Sequence, residues 1–128
     1  MNKLIRCSQV TVKDAAKAIC KQIIALHSGI YGVKILDDEA SEVHAQYAAK
    51  PDKALLAKVW ENEKLVIVWG LISSFARMEK GLRFFQFAGE ESSVLCVPAM
   101  EKLIIVIMSP KTPLATIDEI LSIIQTET

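Results

Sequence analysis

Three cysteines and two histidines invite a metal or thiol hypothesis: Cys7, Cys20, His27, His44 and Cys96. A structural zinc site gathers four such ligands, with pairs of them a few residues apart. No two of the five stand at the two-residue spacing of such a pair, and no metal site is expected. A thiol or histidine working as a catalyst needs a paired base, and no motif supplies one. Gly29 and Gly32 are not followed by a lysine with serine or threonine at the spacing of a phosphate loop. Asp37-Asp38-Glu39 and Glu90-Glu91 read as solvated turn residues. No catalytic residue, cofactor or metal is therefore expected. What stands out instead is a surface, the apolar stretch Leu65-Val66-Ile67-Val68-Trp69-Gly70-Leu71-Ile72.

The totals set the frame for that surface. A chain of 128 residues makes one domain. Apolar residues make up 52% of it, and apolar excess on a small domain tends to end in an interface. Fifteen basic residues balance fifteen acidic ones, so net charge gives no general attraction to nucleic acid or anionic lipid. Three isolated cysteines fit a reducing compartment better than a disulfide framework. Met1 to Arg6 lacks the apolar core of a signal peptide, and the longest apolar runs fall far short of a bilayer span. A cytoplasmic protein is expected.

Residues 1–10 read as an N-terminal arm. Thr11 with Asp14 forms a capping-box pattern, and Val12, Ala15, Ala16, Ile19, Ile23 and Leu26 then recur at helical spacing. Ser28-Gly29 is the expected helix end, with glycine as the C-cap. Ile30 to Leu36 and Glu42 to Tyr47 form a hairpin. In its second strand Glu42, His44 and Gln46 make the wet face, and Val43, Ala45 and Tyr47 the apolar one. Pro51 stops that strand and Asp52 can cap the next helix. Leu82 to Phe87, Ser92 to Val97 and Leu103 to Met108 are strands with turns short enough for an antiparallel meander. Leu103 to Met108 is apolar on both faces, as a central strand should be. Thr112-Pro113 opens a last helix, in which Leu114, Ile117, Ile120, Leu121 and Ile124 line one face.

Between hairpin and meander lies Lys53 to Lys80. Two readings are open: one long helix, or a strand at Leu65 to Trp69 between two shorter helices. The long helix is the preferred reading, since no glycine or proline breaks Glu61-Asn62-Glu63-Lys64. As a helix it is apolar on more than one side, with Leu65, Val68, Ile72 and Phe75 on one line and Ile67, Leu71 and Met78 on another. Gly70, Ser73 and Arg77 share the remaining side, where small residues would admit a second helix. Trp60 and Trp69 suit anchoring roles. Arg83-Phe84-Phe85-Gln86-Phe87 carries aromatics on both faces, and such an edge invites pairing with its own copy. An intramolecular core is the competing account of both stretches.

The order helix, two strands, long helix, three strands, helix resembles the roadblock (dynein light chain) domain family, within the longin and profilin-like folds. The resemblance runs from Val12 to Gln125. It rests on the first helix leading into Gly29-Ile30-Tyr31-Gly32-Val33-Lys34-Ile35-Leu36-Asp37, and on Gly81 to Ile124 with Ser93-Val94-Leu95-Cys96-Val97-Pro98 and Leu103-Ile104-Ile105-Val106-Ile107. The turn Asp37 to Ser41 lacks the glycine usual there in the family. The resemblance implies an α+β fold, a five-stranded antiparallel sheet with two helices on one face and one long helix on the other. It implies homo- or heterodimerisation through the long helix and the strand after it, and the residues of those two stretches themselves single out Trp60, Val66, Ile67, Trp69, Gly70, Leu71, Ser73, Arg77, Phe84, Phe85 and Phe87 as interface candidates. It further implies a non-enzymatic scaffold or regulator of small Ras-like GTPases. Expected partners are a second copy or a related roadblock chain and a small GTPase, without nucleic acid or direct membrane insertion. The alternative is a longin- or profilin-like ligand-sensing domain with a small-molecule pocket between sheet and helix.

Overall fold

The sheet is built around β5 (Lys102–Met108), whose residues from Leu103 onward are all buried. It carries the continuous apolar run expected of a strand covered on both faces. The computed structural model describes residues 2–49, 69–72, 74, 81, 83–99 and 101–127, with only the backbone for residues 2–13 and 127. β1 (Ile30–Leu36) pairs with β5 on one side and with β2 (Glu42–Tyr47) on the other. β4 (Ser93–Ala99) pairs with β5, and β3 (Phe85–Ala88) with β4. The five-stranded antiparallel order is β2-β1-β5-β4-β3, leaving β2 and β3 as edges.

Alternation along the strands assigns the faces. Val33, Ile35, Leu95, Val97, Ile104, Val106 and Met108 join Ala16, Ile19, Cys20 and Ile23 of α1 (Asn2–Leu26) and Ile117, Ile120 and Ile124 of the last helix, Leu114–Glu127, in one core. Leu36, Cys96, Leu103 and Ile105 point to the opposite face, where they meet Ile72. Ile72 belongs to a helical segment, α2, described at residues 69–72 and 74, so the last helix is α3. The first and last helices thus share one face, and α2 lies on the other. The expected α+β architecture is the observed one.

Several local expectations change. α1 begins at Asn2, so residues 2–10 continue the helix where an arm was expected. No glycine or proline interrupts the sequence from Met1 to Ser28, and Thr11 and Asp14 stand inside the helix instead of capping it. Gly29 is not a left-handed C-cap, as Gly81 is the only described glycine with positive φ (81°). Gly29 is required by close approach: a Cβ there would lie 2.8 Å from Thr112 Oγ1 and 2.9 Å from His27 Nδ1. The Gly29 N–H donates to His27 Nδ1 at 2.9 Å. Its carbonyl accepts from the Ser109 N–H at 2.6 Å, tying the end of α1 to the end of β5. Leu114, expected on the buried face of α3, is 78% exposed at the first turn.

β2 also departs from strict alternation. A bulge between Ile35 and Leu36 makes Val43 the extra residue, and Val43 packs against the core under α1. His44 and Gln46 stand across from Ile35 and Val33, so they sit half-buried on the α1 side and not on a wet face. The β1–β2 turn closes without glycine because Ala40 adopts φ 62°. Asp37 offsets that conformation: its Oδ1 accepts from the Glu39 and Ser41 N–H groups, each at 2.9 Å.

Candidate interaction surface

α2 divides into an inward and an outward side as a 100° step per residue requires. Ile72 is fully buried against Leu36, Cys96, Leu103 and Ile105, and Trp69 packs half-buried beside it. The Trp69 indole N–H donates to the Asp37 carbonyl at 2.8 Å, pinning the helix to the β1–β2 turn. Gly70, Leu71 and Ser74 fall on the opposite side and are exposed, Leu71 to 45%. A Cβ at Gly70 would meet nothing within 4 Å. The Ser74 hydroxyl donates to the Gly70 carbonyl at 3.0 Å, so this polar group is satisfied inside the helix and does not demand water. The outcome is a small–large–small patch that another helix could approach closely.

β3 flanks this patch on the same face. Its register with β4 runs from Phe85 opposite Cys96 to Ala88 opposite Ser93. Phe85 packs against the core that holds Ile72 and Trp69. Phe87, two residues on and therefore on the same face, is 42% exposed. The two rings are stacked, with centroids 6.4 Å apart and planes 11° from parallel. Phe84 turns the other way and packs against the core under α1 and α3. The strand starts at Phe85, three residues later than Leu82.

Of the candidate residues, the fold brings Trp69, Gly70, Leu71, Phe85 and Phe87 to one face, and places Phe84 on the other. Trp69 is committed on its inner side to the turn and core. Trp60, Val66, Ile67, Ser73 and Arg77 lie outside the described residues, as do Pro51, Asp52 and the choice between helix and strand for Leu65 to Val68. Trp69 itself is helical. Asp37 escaped sequence reasoning as the acceptor for Trp69, because the two are 32 residues apart and no local pattern joins them.

The chemistry-bearing side chains are scattered. Burial pushes the thiols of Cys20 and Cys96 up to about 12, so both stay protonated and inert at neutral pH. Cys20 lies in the core under α1 and Cys96 in the core facing α2, on opposite faces of the sheet. Among the described residues no group of three or more His, Cys, Asp or Glu gathers as a metal site would need. No described helix is long and apolar enough to cross a membrane.

No protein-family model and no curated protein matches this sequence. Solved structures do match in shape. Myxococcus xanthus MglB aligns with a TM-score of 0.69 at 12% identity, over 90% of this chain and 85% of that one. A structure described as MglB with tetrameric arrangement aligns with a TM-score of 0.62 at 11% identity, over 92% and 93%. The Roadblock/LC7 domain from Streptomyces avermitilis aligns with a TM-score of 0.58 at 9% identity, over 85% and 88%. The chain has the roadblock-domain fold. At these identities the likeness speaks for the backbone alone. The roadblock order places α2 and β3 together on one face and edge, where the exposed Leu71 and Phe87 are found.

Proposed function

We propose that this chain is a non-enzymatic, cytoplasmic scaffold or regulatory subunit that pairs with a second copy, or a related roadblock chain, through α2 and β3. The paired platform binds a small Ras-like GTPase. The observation that carries the reading is the patch of Gly70, Leu71 and Ser74 beside the exposed Phe87 on an open sheet edge. Two copies related by a two-fold axis through such an edge would present the same residues to each other. The adjoining helices would then bury Leu71, and the β3 edges would satisfy each other's backbone groups. A solved MglB described as having a tetrameric arrangement supports self-association in a chain of this shape. The GTPase partner rests on the roadblock resemblance.

Light scattering on the purified protein at micromolar concentration tests the pairing. A dimer or larger assembly is expected, and Leu71→Glu should shift it to a folded monomer. A strict monomer in the unaltered protein would remove the interface. Capture on immobilised chain of small GTPases loaded with GDP or a GTP analogue tests the second part. Nucleotide-dependent retention is the expected result, and retention of none would leave a dimer without this role.

A further inference from the structure

β3 is shorter than β4, and the mismatch leaves a groove. The ladder between them stops at Phe85 opposite Cys96, so Val97, Pro98 and Ala99 of β4 extend past the last paired residue. α3 passes over this bare end, and the space between holds a cavity of about 380 Å³ lined by Arg83, Val97, Pro98, Ala99, Leu121, Ile124 and Gln125. Its volume falls at the lower end of the range for small-molecule pockets, roughly 300–1,000 Å³. Of the seven described residues that line it, five are apolar, and the two polar ones, Arg83 and Gln125, both offer N–H donors. Arg83 is exposed and has no carboxylate partner among the described residues. A groove walled mostly by apolar side chains, its exposed surface about equally polar and apolar, with one cation and one amide among the described residues, suits a short amphiphile that ends in an anion.

We propose that this groove binds a small apolar carboxylate of the fatty-acid type. The alkyl chain would lie along the partly exposed Pro98, Ala99 and Leu121, over the buried Val97 and Ile124, with its carboxylate accepting from the Arg83 guanidinium and the Gln125 amide. Arginine suits this role because its planar fork matches both carboxylate oxygens. The groove is on the α1–α3 face, away from the α2 patch, so the site goes beyond pairing and can stand if pairing fails.

Titration calorimetry with sodium octanoate tests it, with octanol and octylamine as controls and the oligomeric state recorded alongside. Saturable octanoate binding is expected, weakened at least tenfold by Arg83→Gln, an exposed change that leaves the core intact. Octylamine should bind at least tenfold more weakly than octanoate. Leu121→Trp should abolish binding by filling the trough, and Ala99→Leu serves the same end from the strand side if the tryptophan variant misfolds. Absence of saturable octanoate binding would overturn the proposal. So would equal binding of octanoate by the unaltered protein and Arg83→Gln, or binding that survives filling of the trough.

Discussion

The two edges of the sheet meet the same hazard with different means. An edge strand offers unpaired N–H and C=O groups to any other strand, and proteins blunt it with charge, bulges or a covering element. β2 uses all three. It carries a bulge opposite Ile35 and Leu36, an ion pair between Lys34 Nζ and Glu42 Oε1 at 3.2 Å, and α1 packed along its inner side. β3 is only four residues long, but it has no charged residue and shows Phe87 to solvent. Brevity alone is a partial defence. The contrast is between an edge that the described part of the chain bulges, pairs by charge and covers, and one that among the described residues keeps an aromatic exposed at the pairing surface proposed above.

Charging each edge in turn would break or confirm that contrast. Phe87→Lys should weaken self-association by roughly thirtyfold or more, the loss expected for an aromatic anchor contributing about 2 kcal/mol or more. Tyr47→Lys, a matched change of a 41% exposed aromatic on β2, should leave association within about threefold. Sedimentation velocity across a concentration series reads both. Equal effects would show that the edges are not distinguished by pairing.

Features governed by repeating local patterns were legible in the sequence. The run Leu103 to Met108 announces β5 because burial on both faces removes alternation. The first hairpin and the 3.6-residue rhythm of α1 obey the same logic. What escaped depends on contacts distant in sequence. The role of Gly29 is dictated by Thr112, and the late start of β3 by where β4 stops being paired. His44 and Gln46 face α1 because the sheet register, not their polarity, decides the side. At the candidate surface, the helical exposure of Leu71 beside Gly70 could be read from spacing, whereas the bond from Trp69 to Asp37 could not.

The buried thiols sharpen the contrast between the edges from inside. Cys96 lies across from Phe85, directly behind the open edge, while Cys20 is held under α1 on the other face. In the folded chain each thiol titrates near 12 against an ordinary value of 9.0, with burial as the cause. The folded state therefore keeps these protons between pH 9 and 12 while the unfolded state releases them. Stability is intact below pH 9 and falls above it, by about 1.4 kcal/mol per pH unit for each thiol. Urea unfolding at pH 8 to 10.5 should show this slope, and Cys20→Ala or Cys96→Ala should each remove its share. If β3 opens readily, Cys96 should also alkylate before Cys20 in native protein. Equal protection would place the open edge in register with a rigid core.

The smallest expected effect concerns how the guarded edge is tied down. Ala40 holds φ 62° at the turn leading into β2, a conformation that costs a residue with a Cβ about 1–2 kcal/mol. Glycine would relieve that cost but would add freedom to the unfolded chain, returning roughly 0.5–1 kcal/mol of the gain. Ala40→Gly should therefore stabilise the fold by about 0.5 kcal/mol, read as a small rise in the urea midpoint with an unchanged slope. Asp37→Ala should move the midpoint the other way by about 1 kcal/mol or more, since the Glu39 and Ser41 N–H groups lose their acceptor. Neither change touches β3, so self-association should be the same in both variants. A change in association with Asp37→Ala would mean that the turn, through the Trp69 indole bonded to its carbonyl, also sets the position of α2 at the open face.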